Sequence, residues 1–169
     1  MPLVKKVISG GQAGADVAAL MTARMLNIPT GGTMPYGFKT IHGNKPEYRR
    51  RYHMRQHASQ DYPPRTKDNV FNSDATLRIA RNFSTPGEQC TLKYILALQK
   101  PYLDIKVHER MIQQKNGTLQ GTGEFFIRIH PDTVRRWAQH HKVSILNIAG
   151  NADPRLEPVI IKFLTEVLK

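Results

Sequence analysis

The sequence predicts an α/β fold, a Rossmann-like parallel sheet with helices on both faces, as a single domain over residues 1–169. Two observations indicate this fold. Short β-branched runs alternate along the chain with segments whose apolar residues recur at helical spacing, and a glycine-rich turn joins the first strand to the first helix. A chain of 169 residues with 40% hydrophobic residues can form one domain with its own core.

The first half of the chain gives a strand, a helix, a long loop, a second strand and a second helix. Glycine and proline recur through the predicted loop, which is why we expect little regular structure there. A turn is expected over 84–87, between the second strand and the second helix. The predicted elements are the strand 4–8, the helix 16–26, the loop 29–43, the strand 75–80 and the helix 91–98.

The second half continues the alternation and contains one interruption. The polar, glycine-containing stretch near 112–130 is predicted as a hairpin insertion with Asn116-Gly117 as its turn. Val134 and Trp137 fall on one face of a helix that begins at Pro131, and both are expected in the core. The other predicted elements are the strand 102–107, the strand 144–149 and the helix 156–168.

The charge of the chain points to anionic partners. Twenty-five Lys and Arg against 13 Asp and Glu give a net charge of +12, and such a field attracts phosphate-bearing small molecules or nucleic acid. The segment Lys45–His57 combines basic residues with Tyr48 and Tyr52, a pattern that suits phosphates and stacked bases. The alternative is that this segment is only a solvated surface.

Composition excludes several classes of protein. The start of the chain shows no secretory signal, and no stretch has the roughly 18 to 20 apolar residues of a membrane span. Cys90 is the one cysteine, so an internal disulfide and a multi-thiolate metal site are excluded. We therefore expect a cytoplasmic protein with no membrane partner and no metal site, and we expect Cys90 to pack in the interior.

The turn from Ser9 to Asp16 carries the clearest candidate site. Glycines let the main chain turn tightly and approach a ligand, and a helix N-terminus adds amide donors and a partial positive charge. The turn is therefore predicted to hold a phosphate, with Asp16 capping the helix or accepting from a ligand hydroxyl. The alternative is a turn that only reverses the chain. The spacing differs from the G-x-G-x-x-G dinucleotide fingerprint.

A second polar group precedes the predicted strand at 75–80. It supplies a guanidinium, hydroxyls, an amide and a carboxylate, which together suit a phosphate and a polar ring. Its members are Arg65, Thr66, Asn69, Ser73 and Asp74. The alternative is that they only cap turns or lie in solvent.

Four motifs occur in order and carry a family resemblance. They are Gly10-Gly11-Gln12-x-Gly14-x-Asp16, Ile28-Pro29-x-Gly31-Gly32, Pro35-x-Gly37 and Arg65-Thr66-x-x-Asn69-Val70-x-x-Ser73-Asp74. The chain resembles the molybdenum-cofactor carrier proteins from Val4 to Pro101 and again over Leu146–Gly150. The resemblance implies a Rossmann-like fold, a homo-oligomer (dimer or tetramer), an anionic site on the carboxyl edge of the sheet, and molybdenum cofactor as a candidate ligand.

More distantly, the first turn is similar to that of the lonely-guy phosphoribohydrolases and of the DNA-processing protein of transformation. The hydrolases carry P-G-G-x-G-T-x-x-E, whose glutamate is catalytic. Here the corresponding run is Pro86 to Tyr94, so Tyr94 stands in place of that glutamate, and Glu88 and Cys90 replace two glycines. This departure predicts ligand binding without hydrolysis, and no catalytic residue is assigned.

The sequence thus predicts a carrier, store or sponge for a phosphorylated heterocycle. Three alternatives stay open: a binder of a nucleotide-derived signal such as an ADP-ribose or cyclic nucleotide, a nucleotide glycosidic-bond hydrolase, and a nucleic-acid-binding protein. The predicted ligand-binding residues are Gly10, Gly11, Gln12, Ala13, Gly14, Asp16, Gly31, Gly32, Arg65, Thr66, Asn69, Ser73, Asp74, Ser84, Thr85, Gly87, Gln89 and Thr91.

Overall fold

A computed structural model describes residues 4–169 of the protein. The strands are β1 (Lys6–Ile8), β2 (Thr30–Met34), β3 (Lys39–Thr40), β4 (Gly43–Asn44), β5 (Met54–Gln56), β6 (Ala75–Ala80), β7 (Tyr102–Gln113), β8 (Leu119–Ile127) and β9 (Ile145–Gly150). The helices are α1 (Ala15–Met25), α2 (Tyr48–Arg51), α3 (Tyr62–Phe71), α4 (Pro86–Ala97), α5 (Pro131–His140) and α6 (Glu157–Leu168). Within this part of the chain, no helix is both long and apolar enough to cross a membrane.

Seven strands form one sheet in the order β5-β2-β1-β9-β6-β7-β8. All neighbours are parallel except the hairpin pair β7 and β8, and β3 and β4 form a separate antiparallel pair. The chain runs outward from β1 to β2 and β5, crosses to β6, and returns last to β9 at the centre. Successive strands are therefore added in one direction from β1 and in the opposite direction from β6, and the switch point between the two halves lies at β9. Ligands of open parallel sheets bind at such a switch point, beside the carboxyl ends of the strands.

Helices cover both faces of the sheet, as predicted. Helix α1 packs on α6, which also contacts α5, while α3 packs on α4 and β2. The face of α1 that packs on the core contains small, fully buried residues such as Ala15, Ala18 and Ala19, which let the helix approach its neighbours closely. Val134 is buried as expected, and Trp137 packs on the same core while only partly buried.

The predicted loop over 29–43 is wrong in its first part, because Thr30–Met34 is the buried strand β2. The glycines that suggested a loop permit a close backbone approach. Gly32 has a φ of 128°, and a Cβ placed on it would lie 2.0 Å from the carbonyl oxygen of Ser9. A strand built this way lacks the alternating side chains that identify strands in a sequence.

The basic segment 45–57 folds into α2 and β5, neither of which the sequence predicted. Tyr52 is 2% exposed in a second core cluster with Met34 and Met54, and its ring packs edge-on against Tyr48 at 5.1 Å between centroids. The expectation that both tyrosines could stack on nucleic-acid bases is therefore wrong for Tyr52, because its ring is inside the protein.

Two helix starts also differ from expectation. Helix α3 was not predicted, although Asp61 lies at its N-cap position and Pro63 in its first turn, a combination that the start of a helix tolerates. Helix α4 begins at Pro86, five residues before the predicted start at Thr91, with the Thr85 hydroxyl accepting from the Glu88 amide.

The hairpin near 112–130 is confirmed. Its turn contains Gly117 at a φ of 84°, and the Asn116 side chain accepts from the Thr118 amide at 3.0 Å. The first strand of the hairpin is continuous with the predicted strand 102–107, so β7 spans both.

The contact between β1 and β2 gives the first testable prediction. Gly32→Ala should lower the free energy of unfolding by about 3 kcal/mol, because the new methyl group meets the Ser9 main chain in a strained backbone conformation. Gly87→Ala is the matched control, since a Cβ there meets no atom within 4 Å, and alanine in a helix should raise stability by roughly 0.5–1 kcal/mol. Urea denaturation measures both, and equal stability of Gly32→Ala and wild type would contradict this account.

Candidate functional site

A cleft of about 790 Å³ opens at the carboxyl edge of the sheet. Its walls are the loops that follow β1, β6 and β9, the starts of α1 and α4, and residues of α3 and of the β3–β4 turn. Seven predicted site residues line it: Gln12, Asp16, Arg65, Thr66, Thr85, Gly87 and Thr91. The cleft therefore lies where the change in strand order predicts a ligand site.

The other predicted residues do not line this cleft. They are Gly10, Gly11, Ala13, Gly14, Gly31, Gly32, Asn69, Ser73, Asp74, Ser84 and Gln89. The side-chain amide of Asn69 accepts from the main-chain N–H of Thr33 at 2.8 Å and donates to the carbonyl of Thr33 at 2.9 Å. The Asp74 carboxylate accepts from the Ser144 and Ile145 amides at the amino end of β9, the opposite edge of the sheet. These side chains join elements of the fold.

The first turn already uses the amides that a phosphate would need. The amides of residues 11 to 15 donate in order to Ser9 Oγ, Asp16 Oδ2, Gln12 Oε1, Glu157 Oε1 and Asn151 O, at 3.0 to 3.3 Å. Two of these acceptors are carboxylates. The expectation of unpaired amides in this turn is therefore wrong, because the protein supplies its own acceptors.

Gly10 allows a close side-chain contact beside the cleft. A Cβ on this residue would lie 1.6 Å from Arg65 Nη1 and 2.7 Å from Asp16 Oδ2. The glycine thus leaves room for the guanidinium of Arg65 to approach the carboxylate of Asp16, at 3.6 Å between Nη1 and Oδ2. Asp16 is buried, and burial raises its pKa to about 6, although Arg65 and the Gln12 amide lower it.

A main-chain amide without an acceptor in the described chain lies instead at the start of α4. Gly87 is in the first turn, it borders the cleft, and its amide donates to no group of residues 4–169. The first turn of a helix carries a partial positive charge. The end of the cleft at α4 therefore has a donor and a partial positive charge that suit an anion.

Arg65 offers the strongest unused donors in the cleft. Its side chain is 13% exposed, and the guanidinium donates no hydrogen bond to the described chain; Nε is buried without a partner. Its contacts are the ion pair with Asp16 and the face of the Tyr62 ring at 5.4 Å. A guanidinium has five donors in a planar fork that matches phosphate or carboxylate oxygens, so the chemistry of Arg65 suits an anion.

Glu88 is the most unusual group of the site, and the sequence did not identify it. The residue is 3% exposed, and its Oε2 is buried without a hydrogen-bond partner, 3.8 Å from Arg78 Nη1. Arg78 is already engaged, since Nε and Nη2 donate to the carboxylate of Asp104 at 2.8 and 2.6 Å. Burial raises the pKa of Glu88 to about 7; Arg78 lowers it, and Asp16 and Asp104 raise it.

Asn151 joins the loops that form the cleft, and it too was not predicted. Its Oδ1 accepts from the amides of Arg81 and Asn82 at 2.8 and 3.0 Å, and its Nδ2 donates to the carbonyl of Asn82. Its own carbonyl accepts from the Ala15 amide. One residue thereby holds the ends of β6 and β9 against the start of α1.

Two further predictions concern α4. Cys90 is partly exposed and lines the cleft, so the expectation of a fully interior residue is wrong; partial burial raises the pKa of its thiol. Tyr94 does not line the cleft. The helix nevertheless brings a carboxyl group into the site, that of Glu88 in its first turn.

The burial of Glu88 gives a prediction for stability. The pKa of Glu88 in the folded protein lies above its ordinary value of 4.5, so the folded state holds this proton more tightly than the unfolded state does. The stabilisation from this proton is fully present below about pH 4.5 and is lost as pH rises through about 7. We expect the free energy of unfolding of wild type, relative to Glu88→Gln, to fall by about 2 kcal/mol between about pH 5 and pH 8.

Urea denaturation across this pH range provides the measurement. Glu166→Gln serves as the control, since that side chain is 56% exposed in an ion pair with Lys169 and should leave the wild-type profile unchanged. A constant difference between wild type and Glu88→Gln would show that Glu88 ionises normally.

Comparisons with known proteins agree with this architecture. Residues 7–169 match the model of the circularly permutated YpsA SLOG family. A crystal structure of a protein from Syntrophus aciditrophicus SB, provisionally named a molybdenum carrier protein, is similar with a TM-score of 0.78 and 30% sequence identity, over 99% of this chain and 97% of that one. The comparison with curated proteins gives no match. The chain therefore belongs to the circularly permutated YpsA SLOG family.

Proposed function

We propose that this protein binds a phosphorylated heterocycle in the cleft at the carboxyl edge of the sheet, as a carrier or store and not as a catalyst. The observation that carries the proposal is Arg65, a nearly buried guanidinium that borders the cleft and donates no hydrogen bond to the described chain. Buried donors without a hydrogen-bond partner lower the stability of a protein, and an anionic ligand that accepts from them would offset this loss.

The rest of the cleft suits such a ligand. The Gly87 amide and the Thr85 side chain border the end where α4 begins, which favours a phosphate there. Apolar atoms of Ile41, Tyr62 and Pro63 border the cleft as well and can cover the faces of a ring. A volume of about 790 Å³ is within the range of small-molecule sites.

Molybdenum cofactor is the first candidate ligand. The name of the similar Syntrophus protein supports it, and it is a phosphorylated heterocycle of the kind that the cleft suits. A nucleotide-derived molecule such as an ADP-ribose or a cyclic nucleotide is the alternative, supported by the same unpaired donors.

Nucleic-acid binding has less support. Arg49, Arg50 and Arg51 are exposed on α2, but none of them lines the cleft, and the neighbouring Tyr52 is buried. Self-assembly into a dimer or tetramer and a cytoplasmic location stay predictions from the sequence.

The role of Arg65 can be tested without knowing the ligand. Wild type, Arg65→Leu and the control Arg49→Leu would be purified anaerobically, and the small molecules released on denaturation measured by mass spectrometry. We expect wild type and Arg49→Leu to release the same phosphorylated heterocycle, and Arg65→Leu at least about tenfold less, the effect of losing charge-assisted hydrogen bonds.

The fold of Arg65→Leu would be checked by circular dichroism, because its loss leaves Asp16 without an ion pair. A wild-type protein that carries no phosphorylated compound, or a folded Arg65→Leu that carries as much as wild type, would contradict the proposed function.

Hydrolysis of a nucleotide's glycosidic bond is the second candidate function. It is favoured by two buried carboxyl groups in the cleft, Asp16 and Glu88, whose pKa values are raised to about 6 and about 7. Such values suit general acid–base chemistry near neutral pH. Against it, Arg65 lies beside Asp16 and no comparison names an enzyme.

We therefore expect no base to be released when the protein is incubated with a panel of nucleoside monophosphates and the mixture is analysed by chromatography. Turnover that persists in Glu166→Gln and disappears in Glu88→Gln would overturn this expectation and make Glu88 a catalytic residue.

A further inference from the structure

We propose that Glu88 binds the ligand as a neutral carboxylic acid and donates a hydrogen bond to an acceptor on the heterocycle, a ring nitrogen or a carbonyl oxygen. The inference rests on the proposed function and adds a specificity-determining residue to it. It also makes ligand binding dependent on a proton held by the protein.

The position of the carboxyl group supports direct contact with a ligand. Glu88 lies in the first turn of α4, next to Gly87, and both residues border the cleft. Its Oε2 is buried towards Arg78, while Oε1 is not fully buried and accepts no hydrogen bond from residues 4–169. Oε1 therefore has no hydrogen-bond partner in the described chain, and Oε2 has only the ion pair with Arg78 Nη1 at 3.8 Å.

The surrounding charges favour the neutral form. The charged groups that face Glu88 are Arg78 from β6, Asp104 from β7 and Asp16 from α1. Arg78 is held by two hydrogen bonds to Asp104, and Asp16 is paired with Arg65. Each guanidinium thus has a nearer carboxylate, and Glu88 keeps only the 3.8 Å ion pair with Arg78, without a side-chain hydrogen bond to the described chain.

An anionic ligand strengthens this preference. The charged residues that border the cleft are three carboxyl groups and two guanidiniums: Asp16, Glu88, Asp153, Arg65 and Arg81. Of these, Asp153 is paired with Arg155 and Arg81 with Glu109. A phosphate beside an ionised Glu88 would meet like charge in a site of low polarity, whereas a protonated Glu88 removes the repulsion and supplies a donor.

The consequence is proton-linked affinity. Only molecules with a protonated Glu88 bind well, so the apparent dissociation constant rises as the protonated fraction falls. With the pKa of Glu88 at about 7, affinity should drop about tenfold between about pH 6 and pH 8. Glu88→Gln is neutral at every pH and keeps a donor, so its affinity should change less than about twofold over the same range.

Isothermal titration calorimetry with ADP-ribose and with cyclic AMP tests the inference, because the phosphate groups of both probes keep their charge across this pH range. Wild type, Glu88→Gln, Asp16→Asn and the surface control Glu166→Gln would be compared at about pH 6 and pH 8. Repeating the titration at about pH 7 in buffers of different ionisation enthalpy should show uptake of about half a proton by wild type and none by Glu88→Gln.

The outcomes separate the inference from the proposed function. Binding with the same pH dependence in wild type and Glu88→Gln, or a dependence that disappears only in Asp16→Asn, overturns the inference while the proposed function stands. Failure of both probes to bind wild type at about pH 6 also overturns it, and the proposed function is then judged by the mass spectrometry of wild type and Arg65→Leu. A folded Glu88→Gln that keeps its affinity at about pH 8 while wild type loses it supports the inference.

Discussion

The cleft depends on one constraint, the attachment of three loops to Asn151. Its side chain is hydrogen-bonded to the main chain of Arg81 and Asn82, and its carbonyl accepts from the first amide of α1. A Cβ on Gly14 would lie 2.2 Å from this carbonyl, so the glycine is what permits the contact. The ends of β6 and β9 and the start of α1 are thereby held together, and the cleft opens between them.

With these loops fixed, oppositely charged side chains lie in pairs around the switch point of the sheet. Arg78 is held by Asp104, and Asp16 by Arg65. Removing one member of a buried pair is costly, whereas a pair with good geometry is tolerated. Glu88 has only an ion pair at 3.8 Å with Arg78, and Nε of Arg65 is buried without a hydrogen-bond partner in the described chain. Both residues border the same cleft, which is where a ligand would complete their hydrogen bonding.

The sequence predicted those parts of the fold that local pattern determines. Strand β6 and helix α5 were found because their apolar spacing is clear, and Asn116-Gly117 marked the hairpin. Strand β2 was missed because Gly32 serves a backbone contact and contributes no side-chain pattern. Glu88 was missed because its environment comes from Arg78 on β6 and Asp104 on β7, and a sequence does not show that these residues meet α4.

The net charge of +12 and the local charge of the cleft have different effects. The cleft is bordered by more carboxyl groups than guanidiniums, while Arg49 to Arg51 are exposed elsewhere on α2. Exposed charges act through screened solvent, with a Debye length of about 8 Å at physiological ionic strength, so they attract anions of every kind without distinguishing them. Selection must then come from groups that contact the ligand. Arg65 would bind the negative charge of a ligand, and the proposed neutral form of Glu88 would donate to an acceptor beside that charge. A free phosphate has the charge but lacks the ring that would supply this acceptor.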